Sequence, residues 1–262
     1  MAKVSLAKFG EISPPILNKI LDLMDECYRL LGEPIGGSVD LEIFEKSGAE
    51  TFFATHDALE GKPRIRVYLD KLLALPESVA LAGLRRQVAH SILHGSLKFY
   101  LVRFPEHLKR VVTRYKLPYE FGNSLLYGTA MAAKEYEVTE LLYKRNFVND
   151  QIAYAKYILE PTSEDVLTWG IVLKNKLEKI LHLAAIVRDI SCAVPLAYDK
   201  IFGDEIKESI RRRIAHISPE YQARIQKIIY KKFPLLGTDT FENIDLVTEW
   251  VIEEIVARKS FY

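Results

Sequence analysis

Residues 13–32, SPPILNKILDLMDECYRLLG, repeat apolar side chains at three- and four-residue steps behind a serine and two prolines, and stop at Gly32 with Pro34 close behind. Serine and proline suit the first turn of a helix and glycine suits its end, so the pattern predicts one amphipathic helix. After GEPIGG the period changes from 3.6 to 2. Val39, Leu41 and Ile43 alternate with polar residues, AETFFATH has strand character, and Ile65, Val67 and Leu69 alternate in PRIRVYLDK. Three short strands are expected, paired in a small mixed or antiparallel sheet.

Beyond the strands the chain reads as helices. LPESVALAGLRRQVAHSILHGSLKFYLVRF carries Pro76 and Glu77 at its start and Pro105 at its end, and YGTAMAAKEYEVTELLYKR follows. Pro161 and TSED open a longer helix whose Val166, Trp169, Leu173, Leu177, Ile180, Ala184 and Val187 form one stripe. Further helices are expected at about 204–216, 219–232 and 241–258, separated by SPE and FPLLGTDT. The fold class is therefore α+β and mostly helical. Residues 1–160 form a domain containing the small sheet, and 161–262 an all-α region that is a second domain or a cap on the first.

Composition narrows the picture. The chain has 262 residues, 49% of them hydrophobic, enough for a sizeable core. Lys and Arg number 36 against 35 Asp and Glu, so no overall field draws in nucleic acid or anionic lipid, and neither is expected as a partner. Two isolated cysteines, Cys27 and Cys192, argue for a reducing compartment. The chain opens on no leader-like segment and ILHLAAIV (180–187) is too short to cross a membrane, so a cytoplasmic location is expected. The 27% charged content and three methionines lean towards a thermophilic source.

The chemistry concentrates in LRRQVAHSILHGSLKFY. His90 and His94 are four apart, one helical turn, so both imidazoles leave one face and can close on a single metal ion. A zinc site needs at least a third protein ligand, and AAKEYEVTELL offers Glu135, Glu137 and Glu140. Glu135 has Met131, Ala132, Val138 and Thr139 at helical spacing, none charged, whereas Glu137 has Lys134 and Glu140. A carboxylate on an apolar stripe must be paired or bound, which favours Glu135.

RIRVYLDKLLALPESVALAGLRRQVAHSILHGS resembles the core of a zincin metallopeptidase, an edge strand and a short link before an active-site helix that ends in His-x-x-x-His-Gly, and KEYEVTELL resembles the glutamate helix of the gluzincin branch. The resemblance covers about residues 13–145. It implies one zinc ion held by His90, His94 and Glu135, and a polypeptide substrate or protein partner. Two positions depart from the family. Thr139 stands where the family has an aspartate, and Ser91 stands where the catalytic glutamate of His-Glu-x-x-His belongs. Serine has no usable pKa near 7, so the resemblance implies a divergent or inactive member, a pseudoenzyme.

The residues also admit a metal-free reading. His90 and His94 would then form a polar seam between helices, Glu135 would pair with Arg85, Arg86 or Arg110, and the chain would be a helical interaction protein on the same scaffold. Gln87 cannot act as a base, and His56 could supply one if its loop approaches the pair. Asp57 reads as a turn residue, and RRR (211–213) and YKK (230–232) read as solvated helix faces.

Overall fold

A computed structural model describes residues 2–256. In chain order the elements are β1 (Lys3–Phe9), α1 (Pro14–Leu31), β2 (Ser38–Phe44), β3 (Ala54–Asp57), β4 (Arg64–Tyr68), α2 (Leu69–Leu72), α3 (Glu77–Leu93), α4 (Glu106–Arg114), α5 (Tyr119–Lys144), α6 (Val148–Leu159), α7 (Ser163–Val172), α8 (Lys176–Ser191), α9 (Gly203–Ile214), α10 (Pro219–Lys227) and α11 (Thr240–Val251). The fold is α+β and mostly helical, with one small sheet near the N-terminus.

The chain divides into two compact units. The first comprises residues up to Leu101 together with Val138–Tyr154, and the second Val102–Glu137 together with residues from Ala155 on. α5 and α6 each contribute residues to both units.

In the first unit the strand order is β1-β2-β4-β3. β1 pairs parallel with β2, β2 parallel with β4, and β3 antiparallel with β4. Two expectations are thereby corrected. β4, which contains RIRVY, is an inner strand, and the antiparallel edge is β3. β1 adds a fourth strand to the three expected, and six of its seven side chains are exposed. Val39, Leu41 and Ile43 of β2 and Ile65 and Val67 of β4 are buried in one core with Ile20, Leu23, Met24, Cys27 and Tyr28 of α1 and Leu84, Val88 and Ala89 of α3. The intervening side chains carry charge: Arg66 pairs with Glu42 at 2.9 Å and with Asp57 at 2.6 Å, and Lys62 pairs with Asp40. One face of the sheet thus rests on helices and the other carries ion pairs, the pattern of a two-layer α+β unit.

α1 runs within a residue of its expected limits, and its Pro14 and Pro15 fill the first turn where backbone N–H groups have no helical partner. α3 is shorter than expected, ending at Leu93 because His94 caps it and the chain then turns tightly. Gly95 permits that turn, since a Cβ there would overlap the Ser91 carbonyl oxygen.

The second unit is helical throughout its described residues. Tyr136 of α5 packs edge-on to Phe233, which meets Trp250 of α11. The single helix expected after Pro161 is two. α7 begins with a capping box between Thr162 and Asp165, and α8 begins at Asn175, whose side chain accepts from the amides of Leu177 and Glu178. The break rotates the expected stripe, so Trp169 and Ile180 are buried but Val166 and Leu173 face solvent. The last expected helix, 241–258, is α11 followed by a π-helical turn at Ile252–Val256; its final two residues lie outside the described ones. Among the described residues no helix is long and apolar enough to cross a membrane.

Candidate functional site

α3 brings its histidines together at its C-terminal end. His90 lies in the last turn, buried, and its carbonyl accepts the N–H of His94 at 2.7 Å. His94 is the cap residue and is fully buried. The two Nδ1 atoms are 3.1 Å apart. Two imidazole nitrogens at that separation share one proton: one ring is protonated at Nδ1 and donates, and the other accepts in the opposite tautomer. The same gap suits a metal, because two nitrogens at 2.0–2.1 Å from a tetrahedral zinc are roughly 3.3 Å apart.

His56 completes a histidine cluster. Its partner across the ladder is Ile65, which places it on the sheet face that carries α3. Its ring stacks on His90 with centroids 5.9 Å apart and planes 13° apart, and its Nδ1 lies 2.7 Å from the Tyr100 hydroxyl. Phe99 presents its ring edge-on to His94. Tyr100 and Phe99 had no signal in the sequence beyond their nearness to His94 along the chain.

Ser91 points elsewhere. It is completely buried, its hydroxyl donates to the Val88 carbonyl at 2.7 Å, and the Tyr28 hydroxyl lies 2.8 Å from its Oγ. With its one proton committed to Val88, Ser91 accepts from Tyr28. Burial pushes the Tyr28 phenol above its ordinary pKa, so it remains a donor. The side chain that follows His90 is therefore a contact between α1 and α3. The Ser91 carbonyl in turn accepts from the amide of Ile35, which fixes the loop after α1 against the end of α3.

One turn before His90, Arg86 is almost fully buried. Its Nη1 donates to Thr139 Oγ1 at 2.7 Å and to Gln151 Oε1 at 3.1 Å, and its guanidinium lies 4.8 Å from the centre of the Tyr154 ring. Thr139 is thus engaged by an arginine. Arg85 donates to Asp150 at 2.7 Å and Glu26 at 3.1 Å. Gln87 is half-buried on α3.

Among the downstream carboxylates, Glu135 is half-buried on α5 and belongs to the second unit. Glu137 accepts from Asn243 Nδ2 at 2.6 Å and Thr240 Oγ1 at 2.8 Å, so its carboxylate holds α11 to α5 and is not placed to serve as a base. Glu140 pairs with Lys144 at 2.9 Å. Asp57 behaves as the turn residue expected. Burial would raise its carboxyl pKa, but the Leu59 amide and the Arg64 and Arg66 guanidinia together hold it below the usual range. Among the described residues no three His, Cys, Asp or Glu side chains converge closely enough to hold a metal ion.

Several residues of the basic clusters pair within the second unit. Arg213 pairs with Asp165 and Asp189, Arg211 with Glu208, and Lys232 with Glu253 and Glu254. Comparison with protein-family models, curated proteins and solved structures finds no match.

Proposed function

We propose that this chain is a zincin-like protein that does not hydrolyse peptides and works by binding a polypeptide partner. The observation that carries the reading is Ser91. A zinc peptidase needs a side chain at this position that takes a proton from the metal-bound water and delivers it to the leaving amine. Ser91 instead spends both hydrogen-bonding directions on Val88 and Tyr28 inside the core. Glu137, another carboxylate that the sequence offers, is committed to α11. The helix with its histidines at the end, following a small mixed sheet, supports the zincin-like part of the reading. The test is incubation of the purified protein with unstructured polypeptides, with and without added zinc. No cleavage is expected, and chelator-sensitive cleavage by the native chain would overturn the proposal.

A second reading, in which the same scaffold holds one zinc ion, is favoured by the 3.1 Å gap between the His90 and His94 nitrogens. His90, His94 and Glu135 would hold the ion, which would supply Lewis-acid polarisation of a bound carbonyl. Metal content and zinc titration of protein purified without a histidine tag decide it. Near one zinc per chain, lost in His94→Ala and in Glu135→Ala but kept in Glu137→Ala, supports this reading; no zinc leaves the histidines as a hydrogen-bonded core pair.

A further inference from the structure

We propose that the outer face of α7 is the interface of a homodimer, in which two copies of α7 cross antiparallel. α7 is anchored from its inner side. Trp169 and Val172 are buried, and Asp165 is held by Arg213 and by the capping box. The outer side carries Val166, Leu167, Gly170, Ile171 and Leu173, with Leu167 68% and Ile171 65% exposed. A helix face this apolar is a place for a partner, not for water.

The charges say which partner. Glu164 lies at the N-terminal end of this face and Lys174 just beyond its C-terminal end, and among the described residues neither enters an ion pair. A second copy laid antiparallel about a two-fold axis at the level of residue 169 sets Leu167 against Ile171 of the other copy. The same operation sets Glu164 against the other Lys174, because both pairs are symmetric about that level. An isologous contact requires this kind of self-complementarity. The helix dipoles also oppose favourably in this arrangement.

Gly170 fits the same picture. Glycine weakens a helix relative to alanine, and a Cβ at 170 would meet nothing within 4 Å, so packing inside the chain does not call for it. At the centre of a helix crossing, its missing side chain lets the two backbones approach. One pair of ten-residue helices is smaller than a standard interface of about 1,600 Å², so the dimer is weak, with a dissociation constant in the micromolar range or above.

The test is sedimentation equilibrium of the full chain over a wide concentration range. A reversible monomer–dimer equilibrium is expected. Leu167→Glu should weaken it about tenfold or more, since it buries an unpaired charge at the crossing. Glu164→Lys and Lys174→Glu should each weaken it about two- to fivefold, and the two together should restore it, because the reversed charges face each other again. At concentrations below the dissociation constant the circular dichroism spectrum should not change, as all three side chains are exposed. A chain that stays monomeric to millimolar concentration, a dimer indifferent to Leu167→Glu, or a double reversal that fails to restore pairing would each overturn the proposal.

Discussion

Replacing Ser91 with glutamate recreates the His-Glu-x-x-His sequence, and by sequence logic alone it should bring back a general base. The structure gives the opposite expectation. The new side chain has three more heavy atoms than serine and must fit where Ser91 is completely buried between α1 and α3. Overpacking of this kind costs about 1–3 kcal/mol. A carboxylate held there without a cation adds roughly 3–5 kcal/mol, reduced to the extent that the Tyr28 hydroxyl donates to it. A net loss of about 4 kcal/mol is a large share of the roughly 5–15 kcal/mol that holds a domain together. The buried carboxyl would titrate above its unfolded value, so this penalty should be smallest at acid pH and grow as pH rises through the folded pKa.

The two cysteines offer a local readout. Cys27, next to Tyr28, is fully buried in the first unit, and burial raises its thiol pKa to about 12; Cys192 is buried in the second. Both thiols react only when their surroundings open, so labelling rates followed by mass spectrometry report each unit separately. A loss of about 4 kcal/mol should speed Cys27 labelling about a thousandfold. Tryptophan fluorescence cannot replace this assay, because Trp169 and Trp250 both lie in the second unit. Ser91→Ala should accelerate Cys27 far less. If Ser91→Glu labels like the native protein and also cleaves peptides in a chelator-sensitive way, then Ser91 faces the histidine site and the packing argument fails.

Three further outcomes follow from the packing. In the second unit the rings of His182 and His216 lie 6.4 Å apart; burial is the main cause that holds both pKa values below the ordinary 6.5, helped at His182 by His216 and then Arg213, while Asp165 pulls the other way at both and at His216 outweighs Arg213. Their contribution to stability is therefore complete above pH 6.5 and lost as pH falls through the depressed values. Trp169, 6.0 Å from His182, should report the loss by fluorescence, and His182→Gln with His216→Gln should flatten that window but not the further loss at lower pH when Asp165 protonates. Gly83→Ala should destabilise the first unit by about 1–3 kcal/mol in a urea titration followed by circular dichroism, despite the better helix propensity, because its Cβ would overlap the Phe53 ring; a stabilised variant would refute that contact. Asp150→Asn leaves Arg85, whose side chain is 18% exposed, with only the half-exposed Glu26, and should cost about 2–3 kcal/mol in the same titration; a change under 0.5 kcal/mol would mean that the pair is solvated.

Local signals sufficed wherever the outcome depended on neighbours along the chain. Ser13, Pro14 and Gly32 bound α1 because caps and prolines act within one turn. The alternation of Val39, Leu41 and Ile43 marked β2 because a strand with one buried face must alternate. The four-residue spacing of His90 and His94 placed both imidazoles on one face. One legible signal was passed over: Asn175, followed three residues later by Glu178, marks the start of α8, but the apolar residues on either side hid it. Other features depended on segments far apart in sequence. Alternation is the same in parallel and antiparallel strands, so only the assembled sheet set β1, β2 and β4 parallel and put β3 at the edge. Ser91 is one residue past His90 and so leaves α3 about 100° round the helix; which element waits there is decided by where α1 packs, and Tyr28 is 63 residues away. The burial of Arg86 is of the same kind, because Thr139 and Gln151, which satisfy its donors, come from α5 and α6. The sequence by itself set the helices, the strands and the facing of the histidines, since those follow from backbone sterics and period. Tertiary packing decided whether each polar side chain meets solvent or another side chain, because the groups that satisfy a buried donor come from distant parts of the chain.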